Sequence, residues 1–396
     1  MTVATAGKPG GRPTVVVAGA LAQRPGVAGH AWVFLNWMLG LRAIGLDVLF
    51  LDRLEPEMLD EPGRPVQVSR QWRWLHDVME LVGFGNDYAL LYDGGRVCAG
   101  ISRAEIVARA RGAHFLLNFM GYLDDEEVAS VVDRRIFVDI DPGFAQLWRT
   151  LGLHDAFAGH DAVATVGLEA NSPECLVGDT GLPTFTTLPP VALDHWPVSP
   201  IGRELPARVT SIATWRGPFA PIEHDGIHYG LRVHEFRRFL QLPRLVPSLR
   251  FELALDIDPS DSDDIARLRA CGWSLLDPGD VAADPARYRS FIAGSAAELV
   301  VAKGMYVQSG GGWFSDRSAC YLASGRPVIA QETGFGNHLP TGKGLLSFDR
   351  LDEAAAAVAE VVGNIELHAA AARRLAEESF DARIVLRRLL QQMDVI

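Results

Sequence analysis

The sequence predicts an α/β protein made of two doubly wound parallel-sheet domains that face each other across a cleft. Three observations carry this. A chain of 396 residues is too long for one ordinary hydrophobic core. Apolar runs of buried-strand type alternate with helical patterns from Thr14 to about residue 187, and the alternation restarts at Arg208. Between the two series lies LPPVALDHWPVSPIGRELP, whose prolines exclude the interior of a regular element and mark a linker over about 188–208.

Residues 1–13 are rich in Gly, Pro and Ala and lack an apolar h-region, so they read as a disordered tail and not a signal peptide. The first domain spans 14–200. Its strand TVVVA (Thr14–Ala18) is followed by a glycine loop through Gly26 and Gly29, a helix over about Ala31–Ile44 closed by Gly45, and a strand at Val48–Leu51. Gly26-x-x-Gly29 lacks the G-x-G-x-x-G spacing of a dinucleotide fingerprint. Further strands are expected at Ala89–Tyr92, His114–Phe119, Ile136–Ile140, Ala162–Val166 and Thr184–Thr187, with helices such as Trp72–Val82 and Ser102–Arg111 between them. The second domain spans 201–380. It reads as strand Arg208–Thr214, helix Val233–Leu240, strand Arg250–Leu255, helix Ser262–Ala270, helix Tyr288–Gly294, strand Leu299–Ala302 and helices Leu351–Gly363 and Glu366–Ser379. A last helix, in 381–396, is placed to pack back on the first domain.

Composition excludes several classes. The net charge of −12 argues against a general nucleic-acid binder, which needs a basic surface. No apolar run is long enough for a membrane span. The four cysteines form no CxxC motif, so free thiols in a reducing cytoplasm, with no structural metal, are expected.

The richest stretch is 306–335, YVQSGGGWFSDRSACYLASGRPVIAQETGF. It reads as a short strand at Tyr306–Gln308, a loop at Gly310–Gly312, a helix capped by Ser315 or Asp316 and ended by Gly325 and Pro327, a strand at Val328–Ala330, and the loop Glu332-Thr333-Gly334. Both loops then lie at one edge of the sheet. A glycine loop opening a helix offers free N–H groups to phosphate oxygens, Arg317 adds a cation, and Glu332 suits neutral hydroxyls. Phosphate together with a polyol describes a nucleotide sugar.

This segment, with LPTGKGLLSF and LDEAAAAVAEVV after it, resembles the donor-binding half of the GT-B glycosyltransferases; the match is best over 300–380 and weaker elsewhere. The resemblance implies two Rossmann-like domains and metal-independent sugar transfer from a nucleotide-diphosphate sugar to a hydroxyl or other nucleophile of a small-molecule acceptor. It implies no nucleic-acid or membrane partner and leaves a homodimer open. The Ala- and Arg-rich bias, as in high-GC bacteria, adds an association with natural-product hexosyltransferases. The chain departs from the family pattern at Cys320, where many members carry a ribose-binding Glu, and at Gly312, where they carry His or Glu. Those departures keep two alternatives open: a nucleotide-sugar epimerase or hydrolase of the same fold, and a non-catalytic binding homologue.

Site candidates follow, each with a plainer role beside it. His30, after the first strand, is either the base that takes a proton from the acceptor or a helix N-terminal His bonded to backbone. Asp141 either orients His30 or forms a turn before Pro142. On the donor side, the resemblance assigns Arg216, Lys303 and Arg317 to the diphosphate, Gly311, Gly312, Trp313, Phe314, Ser315 and Asp316 to the glycine loop, and Glu332, Thr333 and Gly334 to the sugar. One of Trp313 and Phe314 is expected to be plain packing, and Arg216 could be a surface residue. Asn118 and Glu169, at strand ends of the first domain, are acceptor-side candidates.

Overall fold

The computed structural model describes residues 12–61, 63–200 and 207–396. Residues 1–11 of the expected tail and 201–206 of the expected linker lie outside the described residues.

The first domain is an eight-stranded sheet. Its strands are β1 (Thr14–Gly19), β2 (Asp47–Leu54), β3 (Tyr88–Tyr92), β4 (Val97–Gly100), β5 (Phe115–Phe119), β6 (Arg135–Asp139), β7 (Ala162–Thr165) and β8 (Thr184–Thr186). The order is β4-β3-β2-β1-β5-β6-β7-β8, parallel except for the edge strand β4. The apolar runs of β1 and β5 are buried on both faces, as a parallel sheet covered by helices requires. The order reverses between β1 and β5, and ligands in such sheets bind outside the carboxyl ends at that switch.

The remaining strands are β9 (Arg208–Thr214), β10 (Ile222–His224), β11 (Ile227–Tyr229), β12 (Arg250–Asp256), β13 (Ser274–Leu276), β14 (Ala297–Val300), β15 (Val328–Gln331) and β16 (Leu345–Phe348). β10 and β11 form a separate hairpin, and the others build a parallel sheet ordered β13-β12-β9-β14-β15-β16. Its switch lies between β9 and β14.

One expectation needs correction, and two features go beyond the sequence reading. Tyr306–Gln308 is not a strand: Gly304–Ser309 is a helix closed by Gly310 in the left-handed conformation. The β-prone run is overridden because the sheet position is filled by β14, which ends at Val300. The hairpin β10–β11 was not expected, although its Asp225-Gly226 turn, with φ of 50° and 76°, is a strong hairpin signature. The described part of the linker is packed. Trp196 is buried, Val191 N donates to Phe380 O at 2.7 Å, and Ala192 N donates to Asn36 Oδ1 at 3.1 Å.

The last helix, Ala382–Gln392, lies against the helix Ala28–Ala43 of the first domain. Gly40 makes the close approach possible, since a Cβ there would meet Ala382 Cβ at 2.5 Å.

Candidate active site

The carboxyl edges of the two sheets face each other, and the candidate residues divide by where those edges place them. At the centre, Asp141 follows β6 and reaches across the cleft. Its Oδ2 accepts from Lys303 Nζ at 2.6 Å, and its Oδ1 accepts from the Tyr306 hydroxyl. Lys303 precedes the helix Gly304–Ser309, so Lys303 and Tyr306, one turn apart, present both donors to one carboxylate. Tyr306 stacks on Trp313, with centroids 4.1 Å apart and planes 16° apart. Burial, and Asp141 beside it, hold the Tyr306 hydroxyl well above its ordinary value, so it remains a donor.

The glycine loop is clamped from both sides. Glu169 N donates to Gly311 O at 3.1 Å, and Gly167 pairs with Trp313 in an antiparallel bridge. From the other side, Gly312 N donates to Thr333 O at 2.7 Å, and Thr333 Oγ1 donates to Trp313 O at 2.5 Å. Gly312 has φ +72°, and a Cβ there would meet Glu169 N at 2.8 Å. The side chain that other members of the resembling family carry at this position therefore has no room. Glu169 also accepts from Asn337 Nδ2 at 2.8 Å and lies 3.1 Å from His338 Nε2. Glu332 Oε1 accepts from the N–H groups of Thr333, Gly334 and Gly336 at 3.0, 2.8 and 3.1 Å, which fixes the second loop. Gly334, at φ +103°, sits 3.1 Å from Gly310 O and Gly312 N at its would-be Cβ.

Ser315 and Asp316 begin the helix Asp316–Ala323, and Ser315 caps it without a side-chain hydrogen bond. Burial raises the Asp316 carboxyl above its usual range. Arg317 turns inward to Glu298, a fully buried carboxylate on β14, and is not aimed at the cleft. One nitrogen of Arg317 (Nη2) and one oxygen of Glu298 (Oε2) have no hydrogen-bond partner among the described residues. Cys320 is buried and accepts from Asn36 Nδ2 at 3.6 Å, which ties it to the first domain. Phe314 packs edge-on to Phe335.

Three candidates make no hydrogen bond to this centre. Arg216, half exposed, pairs with Asp261 at 2.5 Å. Asn118 has its amide committed: Nδ2 donates to Leu123 O at 2.9 Å, and Oδ1 accepts from Leu123 N at 3.0 Å. His30, in the first turn of its helix, lies 3.1 Å by Nε2 from Ala20 O. Burial, then the nearby Arg24, lower its pKa to about 4, so the ring is neutral at neutral pH.

Sequence reasoning missed several residues of the site. Arg232 is buried, donates to Val301 O, and is lowered to about 10 by burial and then by Arg317. Nothing in LRVHEF singles it out. Asp139 is fully buried behind Asp141, where Oδ2 accepts from Gln146 Nε2 at 2.8 Å and from Thr165 Oγ1 at 3.0 Å. Burial raises it to about 6 despite these donors. Tyr306 was within reach as an i,i+3 partner of Lys303, had the segment been read as helix.

Among the described residues no group of three or more His, Cys, Asp or Glu is arranged to hold a metal ion, and no helix is long and apolar enough to cross a membrane.

No protein-family model matches the sequence, and no curated protein matches it significantly. Solved structures match over nearly the whole chain. Anabaena HepE in complex with UDP and glucose aligns at 11% identity and a TM-score of 0.58, over 97% of this chain and 100% of its own. An alpha-glucosyltransferase in complex with UDP and a 13-mer DNA aligns at 9% identity and a TM-score of 0.58, over 98% and 99%. AviGT4, a glycosyltransferase involved in avilamycin A biosynthesis, aligns at 14% identity and a TM-score of 0.54, over 96% of each chain. Two doubly wound sheets, edge to edge across a cleft and tied by a returning C-terminal helix, give this chain the GT-B glycosyltransferase fold.

Proposed function

We propose that the protein transfers a sugar from a nucleotide-diphosphate sugar to a hydroxyl of a small-molecule acceptor. The observation that carries this reading is the convergence, at the switch edge of the second sheet, of the glycine loop Gly310–Gly312, the start of the helix Asp316–Ala323, and the cations Lys303 and Arg232. Backbone N–H groups and cations at such an edge suit a diphosphate, which is the charge that departs when the sugar moves. The structural neighbours crystallised with UDP make a uridine diphosphate sugar the first donor to test.

In this reading Lys303 exchanges Asp141 for the diphosphate as the donor enters, and Asp141 then orients the acceptor. Arg232 and the N–H groups at the start of the helix Asp316–Ala323 stabilise the leaving group, and no metal is assigned a role. Glu332 and Gly334 face the sugar. His30, neutral at physiological pH, takes the acceptor proton if the reaction inverts, and contacts the acceptor if it retains.

A second reading, a binding protein of the same fold, is favoured by one specific observation: the loop at Gly311–Gly312 is hydrogen-bonded into the first domain, and Cys320 is buried against Asn36. Incubation with a panel of nucleotide sugars and pooled hydroxyl acceptors, followed by mass spectrometry, separates the two. Transfer predicts a glycosylated acceptor together with equimolar nucleoside diphosphate, both lost in Lys303→Ala. Nucleoside diphosphate without glycosylated acceptor would indicate a hydrolase, and intact donor throughout would favour the binding protein.

A further inference from the structure

Beside the clamped glycine loop lies a cavity of about 700 Å³, large enough for a small ligand. Gly143, Gln146 and Gly167 line it from the first domain, and Ser309 and Gly311 from the second. Its outer wall is the segment from Ala170 to Thr184. That wall is fastened across the cleft, since Leu176 N donates to Ser309 O at 3.0 Å and Tyr229 Oη donates to Leu176 O at 3.1 Å. The cavity therefore belongs to both domains and borders the loop assigned above to the donor.

Its chemistry differs from that of the donor edge. Among the described residues its lining holds no Lys, Arg or His and one carboxylate, Asp179. Arg149 lies behind Gly181, outside the lining, and donates to Asp179 O and to Asp155. The amide and hydroxyl donors of the lining are only partly engaged. Gln146 gives its Nε2–H to Asp139, Asn171 gives its Nδ2–H to Thr184 O, and Ser309 gives its hydroxyl to Tyr306 O. Capacity of both kinds remains: a second N–H on each of Gln146 and Asn171, and Asn171 Oδ1 and the second oxygen of Asp179, which have no donor among the described residues. A phosphate or carboxylate brought here would meet the Asp179 carboxylate with no cation among the lining residues. A ligand rich in hydroxyl donors would satisfy the free acceptors.

We propose that this cavity is the acceptor site and that it selects hydroxyl-rich acceptors carrying no phosphate or carboxylate. The acceptor role rests on the transferase reading above; the selectivity rests on the cavity alone. Cys175 lines the cavity, with its sulfur 3.9 Å from the position of a Cβ on Gly311, and serves as a built-in reporter. In the unmodified protein, alkylation of Cys175 by N-ethylmaleimide is followed by peptide mass mapping, which separates it from Cys98, Cys271 and Cys320. Maltose and methyl α-glucoside are compared with glucose 6-phosphate as protectants, and nucleoside diphosphate binding is titrated in parallel. Several-fold slower labelling with the neutral saccharides, and none with the phosphate ester, supports the proposal. Equal protection by glucose 6-phosphate, or no protection by either neutral saccharide, overturns it. Nucleotide binding without protection removes this inference alone. Protection without nucleotide binding keeps the selectivity and removes the transferase reading.

Discussion

Lys303, Asp141 and Tyr306 come from chain positions 162 and 165 residues apart, yet form one interdomain contact. The sequence marked Asp141 and Lys303 because each ends a strand at a carboxyl edge, but nothing in it pairs them; only the facing of the two edges does. The carboxylate and the ammonium are largely buried, so each depends on the other for its solvation. Lys303→Ala should therefore cost about 1–3 kcal/mol of stability, measured by urea denaturation. Asp141→Ala should cost a similar amount, and the double variant little more than either; strict additivity would contradict the pairing. His30 gives a second test. Its pKa is lowered from 6.5 to about 4 by burial first and Arg24 second. A base with a depressed folded value binds its proton less readily when folded, so its contribution is intact above pH 6.5 and is lost as pH falls toward 4. His30→Gln removes this titration and can keep a donor to Ala20 O. By differential scanning calorimetry the wild type should lose Tm relative to that variant as pH drops from about 7 to about 5; parallel profiles would contradict the assignment.

At the scale of elements, what was legible follows local chemistry. Periodic strands and glycine-terminated helices were readable because apolar runs, caps and breakers act within a few residues. β9 matches its expected span of Arg208–Thr214, and the helix Ser262–Ala270 does likewise. Where tertiary context decides, local reading failed: β-prone Tyr306–Gln308 became helix once β14 occupied the sheet. The departure at Gly312 was visible as a missing side chain, but its cause was not. The cause is the loop 167–169 of the other domain, which leaves no room for a Cβ. Gly217 provides the control, since it has φ +81° and nothing within 4 Å of a would-be Cβ. Gly217→Ala should cost only the left-handed backbone penalty of about 1–2 kcal/mol. Gly312→Ala pays that and a collision with Glu169 backbone, so it should be destabilised by about 1–3 kcal/mol more. Equal losses in chemical denaturation would mean that the loop is not clamped as described.

For the whole molecule, the division into two doubly wound sheets was legible from the repeated alternation and the proline-rich break. The closed relation of the two domains was not, because it rests on contacts between residues far apart in sequence. Those contacts include Asn36 with Cys320, Glu169 with Asn337, and Val191 with Phe380. The helix Ala382–Gln392 is part of the same closure. Gly40→Leu would force the helices Ala28–Ala43 and Ala382–Gln392 apart, since even a Cβ would lie 2.5 Å from Ala382 Cβ. Overpacking of this kind should lower stability by about 1–3 kcal/mol, and removing the side chain at the partner position, in Gly40→Leu/Ala382→Gly, should recover part of it. No recovery in thermal melts would place the cost elsewhere.

The central claim is that the edge built from the glycine loop, Lys303 and Arg232 holds a nucleoside diphosphate. A thermal-shift screen of the full chain against UDP, GDP, ADP and TDP, with chelator present, tests it most directly, because a ligand that binds only the folded state must raise Tm. The account predicts a rise with one of the four, reduced in Lys303→Ala. Unchanged melting with all four would contradict it.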